Sequence, residues 1–194
     1  CLNSLATDVL SSLSFSPDGR SLATVAYGFG LSAGDVKVWD VGSGRELAHI
    51  RPLIRDQMGT VIASGALDVA FGCNGQALAT AGFRQVSIWD ATTGALLREI
   101  PANSQHNSRL AWSPAGRFLA IGDEYSVTLL DLTAGRQVWS APIRLVRDGG
   151  LAFSPDGRLL AIGGEEQVTV RDSSDSFRRQ VTTFPAGRDW PLTF

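Results

Sequence analysis

Lysine is almost missing from this 194-residue chain, where Lys37 stands alone beside 16 arginines. Histidine is limited to His49 and His106, cysteine to Cys1 and Cys73, and methionine to Met58. Two cysteines cannot build a disulfide framework, so an ordinary reducing compartment, the cytoplasm, is expected. Two histidines without cysteine or carboxylate at ligand spacing make no zinc site, and no metal or other cofactor is expected. No apolar run approaches the roughly 18 residues of a membrane span, and no basic–apolar–small signal segment opens the chain. A net charge of −2 offers nucleic acid no electrostatic reason to bind. No longer window holds a clean helical period, so helix should be nearly absent. What is plentiful is apolar residues, at 44%, and turn formers, with 21 glycines and 8 prolines. That composition suits a packed domain with frequent turns.

The chain is a repeat. Phe15–Arg20 and Phe153–Arg158 both read FSPDGR, with FGCNGQ at Phe71–Gln76 and WSPAGR at Trp112–Arg117. The aromatic leads are 56, 41 and 41 residues apart. A second landmark follows each lead: Trp39-Asp40, Trp89-Asp90, Leu130-Asp131 and Arg171-Asp172, after 24 residues in the first copy and 18 in the others. A third lies five positions after the Trp-type residue, at Gly44, Gly94, Gly135 and Ser176. Constant register over four copies is a strong signal.

Each copy reads as four short strands. In the second copy these are Leu67–Phe71, Ala77–Ala81, Val86–Asp90 and Ala95–Ile100, bounded by turn residues. Segments such as Leu159-Leu160-Ala161-Ile162 are apolar on both faces and need cover on both sides. Four-stranded meanders stacked about an axis supply it, and a repeat near 41 residues is a propeller-blade period. The expected fold is all-β, with four consecutive four-stranded antiparallel propeller blades forming an open arc. The blades are placed at about 8–51, 66–100, 107–141 and 148–183, with 184–194 starting a further blade. Trp39, Trp89, Trp112 and Trp139 are expected in the core.

The FSPDGR lead, the Trp-Asp pair closing the third strand and the Thr-Gly-type turn after it resemble the WD-repeat β-propellers. The resemblance runs from about Val9 to Thr183. TolB-like propellers share the SPDG turn, but the Trp-Asp pairs favour the WD-repeat family. Where that family usually carries a Gly-His pair, this chain has Ile62, Asn103 and Arg144, so a His-centred network tying each blade together is not expected. Trp39, Asp40, Trp89, Asp90, Asp131 and Asp172 carry the blade signature. Rings of this family usually close with about seven blades, so four would leave open sheet faces. Because of those open faces the chain is expected to be part of a larger propeller, or to close a ring by self-association, and its opening on Cys1 and not Met leads to the expectation of a segment upstream.

In a meander, turns after odd strands lie at one end of the sheet and turns after even strands at the other. Both length anomalies, within Tyr27–Gly34 and within Arg51–Gly65, fall after even strands. Insertions gathered on one rim point to a binding face. The candidate residues there are Tyr27, Phe29, Arg51, Arg55, Phe83, Arg84, Arg109, Tyr125, Arg144 and Arg147, because arginines and aromatics anchor interfaces. The acidic pairs Asp123-Glu124 and Glu165-Glu166 could bind a cation or a basic peptide, or be solvated charge. Gly28-Phe29-Gly30-Leu31-Ser32-Ala33 imitates a dinucleotide fingerprint, but a strand follows it and not the helix that a pyrophosphate needs. No nucleophile signature is present. The resemblance implies a non-catalytic protein-interaction scaffold with a protein or peptide partner. A second reading is an accessory or sensory propeller of a multidomain bacterial regulator such as a kinase. A third, a propeller hydrolase or lactonase, would need a metal in the central channel.

Overall fold

A computed structural model describes residues 9–27, 34–55, 61–82, 85–102, 109–123, 125–143, 145 and 150–185. Four four-stranded sheets follow one another along the chain, each an antiparallel meander. The first holds β1 (Val9–Phe15), β2 (Ser21–Tyr27), β3 (Val36–Asp40) and β4 (Glu46–Ile50). A small hairpin of β5 (Leu53–Arg55) and β6 (Val61–Ser64) comes next. The second sheet holds β7 (Ala66–Phe71), β8 (Ala77–Gly82), β9 (Gln85–Asp90) and β10 (Leu96–Pro101). The third holds β11 (Arg109–Trp112), β12 (Phe118–Gly122), β13 (Val127–Asp131) and β14 (Arg136–Ala141). The fourth holds β15 (Leu151–Phe153), β16 (Leu159–Gly163), β17 (Gln167–Asp172) and β18 (Gln180–Pro185). Among the described residues the helical content is one 3-10 turn, Ser173–Asp175. Residues 186–194, expected to lead into another blade, lie outside the described residues, while Phe184 and Pro185 belong to β18.

The sheets form two compact units, residues 1–105 and 106–194. In the first unit the apolar face shared by Ala23, Val25, Val36, Val38 and Ile50 packs on Val69, Phe71, Leu78 and Trp89 of the next sheet. Two polar bonds pin the seam: Ser12 Oγ donates to Asp68 Oδ1 at 2.5 Å, and the Phe71 N–H donates to Ser14 Oγ at 3.1 Å. In the second unit Ala120, Val127 and Leu129 pack with Leu160, Ile162 and Phe177. The central strands β8, β12 and β16 are buried on both faces, which is why they read as apolar runs, broken only by Thr80 in β8.

One irregularity recurs in every sheet. Between the third and fourth strands the register slips by one residue, leaving Leu47, Leu97, Val138 and Val181 as the extra residue of a bulge. Leu47, Leu97 and Val181 are among the exposed aliphatics of the chain for this reason. The fourth strand is the sheet edge, and a bulge there blunts edge-to-edge pairing.

Of the four tryptophans expected in the core, Trp89 alone is buried, while Trp39, Trp112 and Trp139 are half-exposed. Trp112 ends its strand and turns its indole N–H to the Gly116 carbonyl at 2.9 Å. A lead aromatic at a strand end caps the sheet; it does not fill its centre.

Candidate functional site

The signature aspartates cap turns. Asp40 Oδ1 accepts from the Ser43 N–H at 2.7 Å and from Ser43 Oγ at 2.6 Å. Asp90 Oδ1 accepts from the Thr92 and Thr93 N–H groups at 2.9 and 2.8 Å. Asp131 Oδ1 accepts from Thr133 and Ala134, while its Oδ2 takes Arg117 Nη2 at 2.8 Å. Asp172 accepts from the Ser174 N–H at 2.8 Å. All four carboxyls are held below the ordinary carboxylate range, chiefly by Ser43, the Thr93 N–H, Arg117 and the Ser174 N–H respectively. These donors favour the charged form, so the carboxylates are turn anchors and not spare acid–base groups. The SPDG turn works the same way: Ser16 Oγ donates to Asp18, which accepts the Arg20 N–H, and Ser154, Asp156 and Arg158 repeat the pattern.

The signature tryptophans carry one further bond. Trp39 Nε1 donates to Thr24 Oγ1 at 2.9 Å, and Trp89 Nε1 to Thr80 Oγ1 at 2.8 Å. At the same register places the third copy has Leu130 and Ile121, and the fourth has Arg171 and Ile162. Arg171 lies over the Trp139 ring at 4.3 Å and donates from Nη1 to the Phe177 and Arg178 carbonyls. Burial lowers its pKa, with Asp175 acting against that, but a guanidinium stays charged.

The expected rim residues divide sharply. Phe29, Phe83, Arg84, Arg144 and Arg147 lie outside the described residues, and Tyr27 and Arg55 are described in backbone only. Tyr27 ends β2 and Arg55 ends β5. Arg109 opens β11 half-buried, and Tyr125, 70% exposed, sits in the turn between β12 and β13. Asp123 Oδ1 accepts the N–H groups of Tyr125 and Ser126, so its carboxylate shapes that turn. Arg51 follows β4. Tyr27, Arg51, Arg109 and Tyr125 stand at the even-strand ends of their four-stranded sheets, while Arg55 lies in the separate β5–β6 hairpin.

The structure brings the bases of the two insertions together in the first unit. The Ala66 N–H donates to the Gly34 carbonyl at 2.9 Å, and the Gly34 N–H to Ala26 at 2.8 Å. The approach is so close that a Cβ on Gly34 would lie 2.1 Å from Gly65 Cα, and one on Gly82 would lie 2.6 Å from the Gly65 carbonyl oxygen. Glycine is required there by contact as well as by the φ of +76° at Gly34. Beside this crossing Asp35 is buried, its carboxylate 8% exposed. Asp35 Oδ2 meets His49 Nε2 at 2.8 Å and accepts from Arg51 Nε at 3.3 Å. Glu46 pairs with Lys37 at 3.2 Å, and Lys37 lies over the Trp39 ring. The second insertion is the β5–β6 hairpin, closed at its base by the Gly65 N–H donating to Pro52.

Sequence reasoning missed Asp35 as the centre of this clasp. The only hint was its place immediately after one insertion, with Arg51 opening the other. His49, which the sequence placed in no zinc site, is a partner of Asp35. Among the described residues no group of three or more His, Cys, Asp or Glu is placed to hold a metal ion. No helix among them is long and apolar enough to cross a membrane.

Comparison with known proteins agrees with the blade geometry. The profile of the WD domain, G-beta repeat family matches residues 1–40, which end on Asp40, the first capping aspartate. No curated protein matches the chain. Family members of this kind generally serve as protein–protein interaction scaffolds and are generally non-catalytic. The matched segment, residues 1–40 of the 194, and the four four-stranded antiparallel meanders are consistent with blades of a WD-repeat propeller.

Proposed function

We propose that this chain is a non-catalytic interaction module that binds a protein partner through the loops at the even-strand ends of its sheets. The binding surface centres on the first unit, where Arg51 stands between Asp35 and the β5–β6 hairpin. The observation that carries this reading is the clasp itself. The bases of the two insertions are pinned to each other by the Gly34–Ala66 bond and the Asp35–Arg51 pair. A segment anchored at its base loses less entropy on binding than one that is free there. The arginines at these ends suit a partner that offers carboxylates, since a guanidinium pairs with them in a bidentate fork.

The test uses a displayed peptide library selected on the immobilised chain, with the winners measured by calorimetry. Acidic peptides should emerge. Combined Arg55→Ala and Arg84→Ala, which leave the Arg51–Asp35 pair in place, should weaken them by about tenfold or more, with Tm shifted by only a few degrees. Peptides whose affinity ignores the double variant would remove this face assignment.

A further inference from the structure

The β5–β6 hairpin differs from the four meanders in how its edge is built. It is a sheet of two strands, and among the described residues no third strand pairs with either. A two-stranded hairpin is marginal by itself and gains from a third strand. Each meander carries its extra residue on the outermost strand, at Leu47, Leu97, Val138 or Val181, where the bulge spoils the edge for further pairing. In the hairpin the register slips between Ile54 and Arg55, and the extra residue is Ile62, on β6. Strand β5 is left regular, so its outer edge lacks that guard.

Pairing parity fixes which groups this edge presents. The Gly65 N–H donates to the Pro52 carbonyl, which makes those two a hydrogen-bonded pair. Leu53 and Ser64 come next in register and are therefore a non-hydrogen-bonded pair, and Ile54 with Ala63 is hydrogen-bonded again. The N–H and C=O of Leu53 thus turn away from β6, and among the described residues nothing bonds to them. Leu53 is 40% exposed, while Pro52 before it is buried. A donor and an acceptor on one exposed edge residue are what an added strand takes up.

Charge narrows the occupant. Arg51, Leu53 and Arg55 fall at alternate positions, and residues 51–55 include no carboxylate. Arg51 meets Asp35 through Nε and its side chain is still 66% exposed. We infer that the outer edge of β5 takes an extended segment of a partner protein as a third strand. Leu53 exchanges both of its outward hydrogen bonds with that segment, whose carboxylates are placed for Arg51 and Arg55. The inference rests on the reading above that an acidic partner docks at this end, and adds how it is held.

The probe is a synthetic peptide alternating glutamate and valine, added to the whole chain and followed by amide hydrogen exchange in NMR. Without peptide the Leu53 amide should exchange as an unbonded one does. Saturation should slow it by about tenfold or more and leave the Ile54 amide, already in the ladder, little changed. Leu53→Pro deletes the outward donor without touching a ladder bond. It should weaken the peptide by about tenfold or more, with the fold checked by circular dichroism. A peptide alternating lysine and valine should bind at least about tenfold more weakly than the glutamate one. A Leu53 amide that stays fast in the saturated complex overturns the inference, as does a folded Leu53→Pro chain that binds like wild type. Equal binding of the two peptides overturns it too. If Arg55→Ala with Arg84→Ala still weakens the glutamate peptide in those cases, the docking end stands and strand addition alone has failed. A glutamate peptide that does not bind at millimolar concentration also overturns strand addition, while the library selection judges the docking end separately.

Discussion

The two units solve one packing problem with different residues. In the first, each Trp-type position holds tryptophan and each indole N–H finds a threonine hydroxyl, Thr24 or Thr80. In the second, tryptophan has gone from both positions and so has threonine, with Ile121 and Ile162 standing in its place. The hydroxyl exists to satisfy the indole; without the indole it would be a buried polar group lacking its partner. Tryptophan and threonine therefore change together, although they lie on different strands. The fourth copy then compensates for lost ring volume from elsewhere. Its turn after Asp172 is longer, and it drives Phe177, fully buried, between Phe118 and Phe153 at ring distances of 5.3 and 5.7 Å.

The largest way to break this comparison is to remove the substitute ring. Phe177→Ala should destabilise the second unit by about 3–5 kcal/mol, because it empties a closed site. Denaturant unfolding read with separate probes for each unit would show it, and an effect below about 1 kcal/mol would mean that Phe177 fills nothing essential.

Next comes the indole bond. Trp89→Phe should cost about 1–3 kcal/mol, in part because Thr80 is left buried without its donor. Adding Thr80→Val should recover part of that loss, as the second unit's aliphatic pairings already suggest. Strict additivity in the double-mutant cycle would refute the coupling.

A smaller effect sits at the third landmark. Gly44, Gly94 and Gly135 take φ values of +70°, +71° and +68°, whereas the fourth copy holds Ser176 at +62°. Ser176→Gly should raise stability by about 0.5–1 kcal/mol by relieving the left-handed conformation. Thermal unfolding would detect it as an upward shift in Tm.

The smallest effect is electrostatic. The capping aspartates have folded pKa values below their unfolded ones, so their contribution is complete above the ordinary carboxylate range. It is lost as pH falls through the folded values, below about pH 4. Asp131 differs from Asp90 in having Arg117 as its main support. Arg117→Ala should move the Asp131 titration upward and leave that of Asp90 in place, as followed by carboxyl carbon NMR. Equal movement of both would show that the guanidinium acts at long range and not through its bond.

These contrasts also explain what could be read in advance. The FSPDGR turns and the capping aspartates were legible because their chemistry is local: each bonds to backbone two or three residues away. The Asp35 clasp was not legible, since its partners His49 and Arg51 are 14 and 16 positions on and no period links them. Phe177 was hidden for another reason. It belongs to an irregular turn, and nothing in an alternating pattern marks a turn residue as core. Trp139 packs on the core of the second unit while half-exposed, and Trp39 and Trp112 are also half-exposed, because aromatic character signals packing without saying how completely the ring is covered.

The claim under all of this is that four copies share one strand register. Interstrand nuclear Overhauser effects between second and third strands test it at four equivalent pairs: Thr24 with Lys37, Thr80 with Ser87, Ile121 with Thr128 and Ile162 with Thr169. All four contacts should be present. A set shifted by one residue in the second unit would turn Arg171 away from Trp139, exchange its two sheet faces, and contradict the account.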